Sequence, residues 1–114
     1  MQPGVPRMAI VLGALALGAV AVSANAQDAR IEEGKRKAIA CQGCHGMDGI
    51  ARLPDAPHIA AQPAAYLERA LRAYRSGERK NEVMSIAAKG LTDADIAALS
   101  AYYAAVRIEV KSTP

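Results

Sequence analysis

The sequence has no Phe and no Trp, and four Tyr supply all of its aromatic content. Large rings carry much of the burial in a small protein, so a dry core closed by big side chains is excluded. The apolar fraction of 52% does not restore it, because 26 of the 114 residues are Ala. Two Cys are too few for the multi-disulfide framework of a small secreted scaffold. Strong charge of one sign is also missing: the net is +3, and no basic run is interleaved with aromatics, which argues against nucleic-acid binding. Few Ser and Gln beside 22% charged residues argue against disorder, and the length allows one domain.

The first 26 residues read as a secretory signal peptide. Arg7 precedes an apolar run of fifteen residues from Met8 to Val22, and Ala24 and Ala26 form an A-x-A cleavage site. Fifteen helical residues span only about 22 Å of a hydrocarbon core of roughly 30 Å, which disfavours the rival reading of an uncleaved anchor. Cleavage after Ala26 leaves residues 27–114 as one domain, placed outside the cytoplasm in the periplasm with no stable membrane insertion. These 88 residues hold 21 side chains of the Ile, Leu, Val, Met or Tyr type. A domain so small commonly needs a disulfide, a metal or another non-protein core.

The remaining chain reads as all-α, with three main helices and a short connector helix. Ile31, Gly34, Ala38 and Cys41 fall on one face of a first helix from an N-cap at Asp28 to about Gln42. Gly43, Gly46, Gly49, Pro54 and Pro57 break the chain into a loop as far as Gln62. A second helix starts with Pro63 at its first position, carries Leu67, Ala70, Leu71 and Tyr74 inward, and stops at Gly77. One helical turn is expected around Ser85 to Lys89. Thr92 and Asp95 form a Thr-x-x-Asp variant of the capping box, opening a last helix with Ile96, Leu99, Tyr103 and Val106 inside.

The chemistry sits at Cys41-Gln42-Gly43-Cys44-His45. On a helical turn, residues three and four apart project to one side. Two thioethers can then form to the two vinyl groups of a haem while the adjacent imidazole reaches the iron, and C-x-x-C-H reads as c-type haem attachment. Two rivals fit less well. A thioredoxin-like redox pair sits beside a βαβ pattern that this chain lacks. Structural zinc needs a second pair of ligands, and only His58 remains.

With these residues assembled, the chain resembles the class I c-type cytochromes, in particular the short single-haem periplasmic type of bacteria. The resemblance covers residues 27–114. It rests on Gly34 seven residues before Cys41, on Cys41 to Gly46, on Pro57-His58-Ile59 with Ala60-Ala61-Gln62, on Glu82-Val83-Met84-Ser85, and on Gly90-Leu91-Thr92-Asp93 leading to Ala101-Tyr102-Tyr103. It implies a small cytochrome c fold wrapped around one covalent haem c. Cys41 and Cys44 would hold the porphyrin, and His45 and Met84 would ligate the iron from its two sides. The Pro57 carbonyl would accept the other imidazole proton, Ile59 would pack on the macrocycle, and Gly34 and Tyr102 would meet where the first and last helices cross. Ala61 stands where many relatives have Gly, and Glu82 where many have Pro.

The residues lead to Met84 separately. A thioether is a fit ligand for haem iron. Met47 lies too close to His45 to cross to the other face, and Met1 and Met8 leave with the leader. The alternatives are Met84 as a core gap-filler and His58 as a second imidazole ligand.

Iron bound by both His and Met has no open position for substrate and exchanges electrons. The first reading is therefore a single-electron carrier, not an enzyme, working between redox partner proteins: a membrane cytochrome complex, an oxidase or a periplasmic dehydrogenase. The others are the haem subunit of a dehydrogenase complex and a sensor or peroxidase with an open distal site. Arg69, Arg72 and Arg75 on the outer arc of the second helix, with Arg79 and Lys80 beyond it, read either as a solvated face or as a basic rim that steers an acidic partner.

Overall fold

A computed structural model describes Met1, Gly4 and residues 18–112 of the chain. Among them there are five helices and no strand: α1 (Gly18–Ala38), α2 (Gln42–His45), α3 (Ala64–Ser76), α4 (Glu82–Lys89) and α5 (Asp93–Ala105). Most of the leader's apolar run lies outside the described residues.

The fold turns on the crossing of α1 and α5. Gly34 is buried there, and a Cβ on it would stand 2.6 Å from Tyr102 Cβ and inside the shell of the Ala98 carbonyl oxygen. Only a residue without a side chain permits that approach, which is the reason for a Gly in mid-helix. The crossing is fastened at its edge by Lys37, whose ammonium lies 2.6 Å from Asp95 and 3.5 Å from Glu33. Beside it, α3 packs on α5 and α4 packs on α3. Leu67, Leu99, Tyr103 and Ala38 form the buried cluster, joined by the half-buried Cys41, Met47, Ile59, Leu71, Leu91 and Tyr102.

The helix boundaries depart from the sequence reading in several places: α1 ends at Ala38 and not near Gln42, which leaves Cys41 outside it, and α5 ends at Ala105, which leaves Val106 outside it. Asp28 is an exposed residue within α1 and not its N-cap, because the Ala-rich stretch before it contains no breaker and continues the helix. Gly43 lies inside α2 instead of opening the loop. Pro63 is the N-cap of α3, with ψ 132°, and its carbonyl takes the amides of Tyr66 and Leu67. The single turn expected at Ser85 is a two-turn helix, since Asn81 caps it four residues earlier. Gly77 ends α3 with φ 83°, and the Thr92–Asp95 capping box opens α5, both where the sequence placed them.

Asp95 is held at about 2 by the Lys37 ammonium and by the amide and hydroxyl of Thr92. A carboxyl depressed in the fold contributes stability that is present above its unfolded value near 3.8 and lost as pH falls through about 2. Acid titration of the folded protein is expected to show this loss between roughly pH 4 and 2. Asp95→Asn should flatten that limb and also weaken the alkaline limb, because the same contact holds the Lys37 ammonium above its ordinary value.

Ala61 is the one non-glycine residue with positive φ, at 57°, among the described residues. Its amide donates to the Tyr103 carbonyl at 2.9 Å, which ties the loop to the end of α5 and over-determines the conformation. A left-handed L-residue costs roughly 1–2 kcal/mol, whereas a new Gly gives back about 0.4–1 kcal/mol through the unfolded chain. Ala61→Gly is therefore expected to stabilise by about 0.5–1 kcal/mol, read as a raised denaturant midpoint.

Candidate haem site

Cys41 starts the site as the N-cap of α2, directly after α1 tightens into a last turn through Cys41 N–H to the Ala38 carbonyl at 2.9 Å. The α2 turn is closed by His45 N–H to Cys41 O at 3.0 Å and Gly46 N–H to Gln42 O at 2.9 Å. Cys41 and Cys44 are half-buried free thiols and His45 is 8% exposed. Burial, and secondarily the neighbouring Cys44, push the Cys41 thiol up.

The imidazole is fixed from the loop. His45 Nδ1 donates to the Pro57 carbonyl oxygen at 2.9 Å. A carbonyl can only accept, so the proton is on Nδ1 and the Nε2 lone pair is available to a metal. A bond of this kind sets the tautomer and raises ligand basicity. Pro57 is held in place by the loop on both sides of it: Arg52 N–H reaches the Cys44 carbonyl at 2.7 Å, and Ile59 N–H reaches the Gly49 carbonyl at 2.8 Å. His58 belongs to this same loop. Its Nδ1 accepts from the Ala51 amide at 2.8 Å, so this nitrogen is committed to the proximal loop.

Behind α2, the two tyrosines of α5 clamp the chain that follows His45. Tyr102 Oη donates to the Met47 carbonyl at 2.8 Å and Tyr103 Oη to the Gly46 carbonyl at 3.2 Å. Burial drives the Tyr103 phenol well above its ordinary range, so it remains a donor. Met47 packs against the core cluster with its backbone held by Tyr102.

Met84 stands on a different element, half-buried in the first turn of α4. Asn81 Oδ1 accepts from Val83 N–H at 3.0 Å and from Met84 N–H at 2.9 Å, and Ser85 Oγ accepts the Asn81 amide at 3.1 Å in return. Asn81 therefore sets where Met84 begins its helix. The sequence reading missed it, although Asn three residues before the Met, with Ser four residues after it, is a cap signal.

The structure thus brings Cys41, Cys44, His45 and Pro57 together around α2, packs Ile59 on the cluster that includes Cys41, and places Met84 on α4. A buried imidazole with its Nδ1 anchored and two adjacent thiols fit a covalently tethered haem. Among the described residues, no three His, Cys, Asp or Glu side chains are gathered as a metal site, and no helix is long and apolar enough to cross a membrane.

Three of the outer arginines, Arg72, Arg75 and Arg79, are partnered within the fold. Arg75 reaches Asp93 at 2.6 Å and the Leu91 carbonyl at 2.9 Å, Arg72 pairs with Glu68 at 3.1 Å, and the Arg79 guanidinium lies 4.8 Å from the Tyr74 ring centroid. Arg75 in particular joins α3 to the start of α5, a structural role that helix periodicity could not reveal.

Comparison with known proteins agrees with this geometry. The cytochrome c family model matches residues 31–106. Cytochrome c-554(548) of Halomonas halodenitrificans is 44% identical over 73 residues, covering 61% of this chain and 88% of that protein. The thiosulfate dehydrogenase electron acceptor of Thiomonas intermedia is 39% identical over 80 residues, covering 68% of this chain but only 36% of that protein. The crystal structure of reduced cytochrome c4 from Pseudomonas stutzeri superposes with a TM-score of 0.66 at 29% identity, covering 70% of this chain and 50% of the other. The fold and site are those of a small haem-binding electron-transfer protein. The chain belongs to the cytochrome c family, as a c-type cytochrome of the class I and cytochrome c4 type. It carries one covalently bound haem c with iron and transfers electrons.

Proposed function

We propose that Cys41 and Cys44 form the two thioethers, that His45 Nε2 is the proximal ligand, and that Met84 is the distal ligand of a one-electron carrier. The observation that carries this reading is the 2.9 Å bond from His45 Nδ1 to the Pro57 carbonyl in the buried C-x-x-C-H turn. It orients the ring and leaves one nitrogen for iron. When bound, haem iron supplies a reversible Fe(III)/Fe(II) couple, and Met/His ligation raises its potential. Pro57 holds the proton on Nδ1, Ile59 and Leu71 exclude water with the core cluster, and Asn81 fixes the backbone of Met84.

In this proposal residues 1–26 are a signal peptide and residues 27–114 the cytochrome domain, delivered to the periplasm. The domain would exchange electrons with a membrane cytochrome complex, an oxidase or a periplasmic dehydrogenase. The name of the Thiomonas relative supports the last of these as donor. Removing Arg7 leaves 13 Lys and Arg against 11 Asp and Glu, a net of +2, and two propionates would nearly cancel it. With Arg72 and Arg75 paired internally, recognition rests on local contacts around the site and not on net charge.

Acid–acetone extraction of the purified holoprotein tests the attachment. The colour is expected to stay with the polypeptide in the wild type and in the Met84→Ala protein, and to leave it when Cys41 and Cys44 are both replaced by Ser. Loss of haem from the wild type would end the thioether assignment.

A further inference from the structure

Beyond α5 the chain leaves the helix at Val106, which is extended with φ −63° and ψ 130°, and it has no regular secondary structure through residue 112. Residues 106–111 read Val-Arg-Ile-Glu-Val-Lys, a strict alternation of β-branched and charged side chains. That period-2 pattern with β-branched residues is the signature of a strand with one apolar and one polar face. It has no strand to pair with among the described residues. Ile108 is 56% and Val110 91% exposed, and in this segment the Val106 amide, bonded to the Tyr103 carbonyl at 3.3 Å, is the one backbone donor with a recorded backbone partner. An unpaired strand of this kind is a template for another edge.

We propose that residues 106–110 pair antiparallel with the same residues of a second copy, in a register centred on Ile108. The charges select both the occupant and the register. Centred on Ile108, the pairing sets Arg107 of each copy opposite Glu109 of the other, and Val106 opposite Val110. Shifting the centre to Glu109 opposes Glu to Glu and Arg107 to Lys111, and shifting it to Arg107 opposes Arg to Arg. Parallel in-register pairing opposes every charge to itself. Like charges directly opposite destabilise a ladder, whereas opposite charges and β-branched pairs support it.

The backbone selects the ladder phase as well. The Val106 amide is already used, so the hydrogen-bonded pairs are those between Arg107 and Glu109. The Ile108 pair then falls at a non-hydrogen-bonded position, where side chains approach most closely. The arrangement is two-fold and uses the same edge of both copies, so it closes as a dimer instead of propagating. Its small area makes it a weak, concentration-dependent one.

Sedimentation velocity of the haem-loaded protein over a micromolar to millimolar series tests the proposal. The wild type is expected to move from monomer to dimer as concentration rises. Ile108→Asp, Arg107→Glu and Glu109→Arg should each stay monomeric while keeping the wild-type spectrum and melting temperature, since all three residues are exposed. An equimolar mixture of the Arg107→Glu and Glu109→Arg proteins should recover the dimer, because each Glu pair of one then faces the Arg pair of the other. In the wild-type dimer, the Arg107 and Glu109 amides should gain hydrogen-exchange protection and the Ile108 amide should not. A wild type that stays monomeric throughout, dimers indifferent to the three substitutions, or a mixture as monomeric as its parts would each overturn the pairing.

Discussion

Met84→Ala is expected to leave a folded, coloured protein whose iron has lost its distal thioether. The potential should fall by on the order of 100 mV or more, within the roughly 0.8 V range over which axial ligands set haem potentials. The open position should bind carbon monoxide when reduced, and the red-edge absorption band of Met bound to ferric iron should vanish. Met47→Ala provides the control. Met47 lies two residues beyond His45, packed on the core with its carbonyl held by Tyr102, so its removal should leave the ligand spectrum unchanged. His58 is the competing ligand of the sequence reading. With its Nδ1 accepting the Ala51 amide, His58→Ala should leave the distal spectrum intact. An unaltered spectrum in Met84→Ala, with a changed one in His58→Ala, would transfer the distal role to the imidazole.

Substitution of Gly34 is expected to have the largest effect on stability. Two physical effects compete at this position. Helix propensity alone favours Ala over Gly by about 1 kcal/mol. Against it, a Cβ would overlap the Ala98 carbonyl oxygen and stand 2.6 Å from Tyr102 Cβ. The Ala98 oxygen is backbone within α5 and cannot rotate aside, so α1 and α5 must separate. Overpacking of this kind costs typically 1–3 kcal/mol and sometimes more. Gly34→Ala should therefore destabilise by about 1–2 kcal/mol net despite its better propensity, and Gly34→Leu by about 3 kcal/mol or more. Denaturant titration reads both, and a stabilised Gly34→Ala protein would show that the crossing is looser than described. Separation of the helices also pulls on the Tyr102 bond to the Met47 carbonyl, so the ligand spectrum should become less resistant to denaturant together with the fold.

Several features were legible in the sequence because they rest on neighbours along the chain. The C-x-x-C-H spacing needs only one helical turn to bring Cys41, Cys44 and His45 to one side. The Thr92–Asp95 box closes within three residues. Gly34, placed in mid-helix at a cost, already implied that something approaches it closely. The inward stripes of α3 and α5, Leu67 and Leu71 on one and Ile96, Leu99 and Tyr103 on the other, followed from periodicity. The chain's own residues also determined that an added core was needed, since 26 Ala and no Phe or Trp cannot fill one.

Other features depend on partners far apart in the chain, and only the tertiary structure decided them. That the Pro57 carbonyl meets His45 twelve residues earlier requires the whole intervening loop to be tied down. The left-handed Ala61 exists because the Tyr103 carbonyl claims its amide, and the sequence shows only an Ala there. The arginines of α3 were a uniform basic arc in one dimension, yet Arg75 is spent on Leu91 and Asp93 across the α3–α5 seam. The helix start at Asp28 failed for a related reason: local capping preference is weak, and nothing in the Ala-rich stretch before it stops a helix already formed. Local spacing fixes which side chains can share a face, because backbone geometry imposes it on every helix. Which carbonyl, phenol or guanidinium meets that face is settled by packing, where the two ends of each bond are remote in sequence.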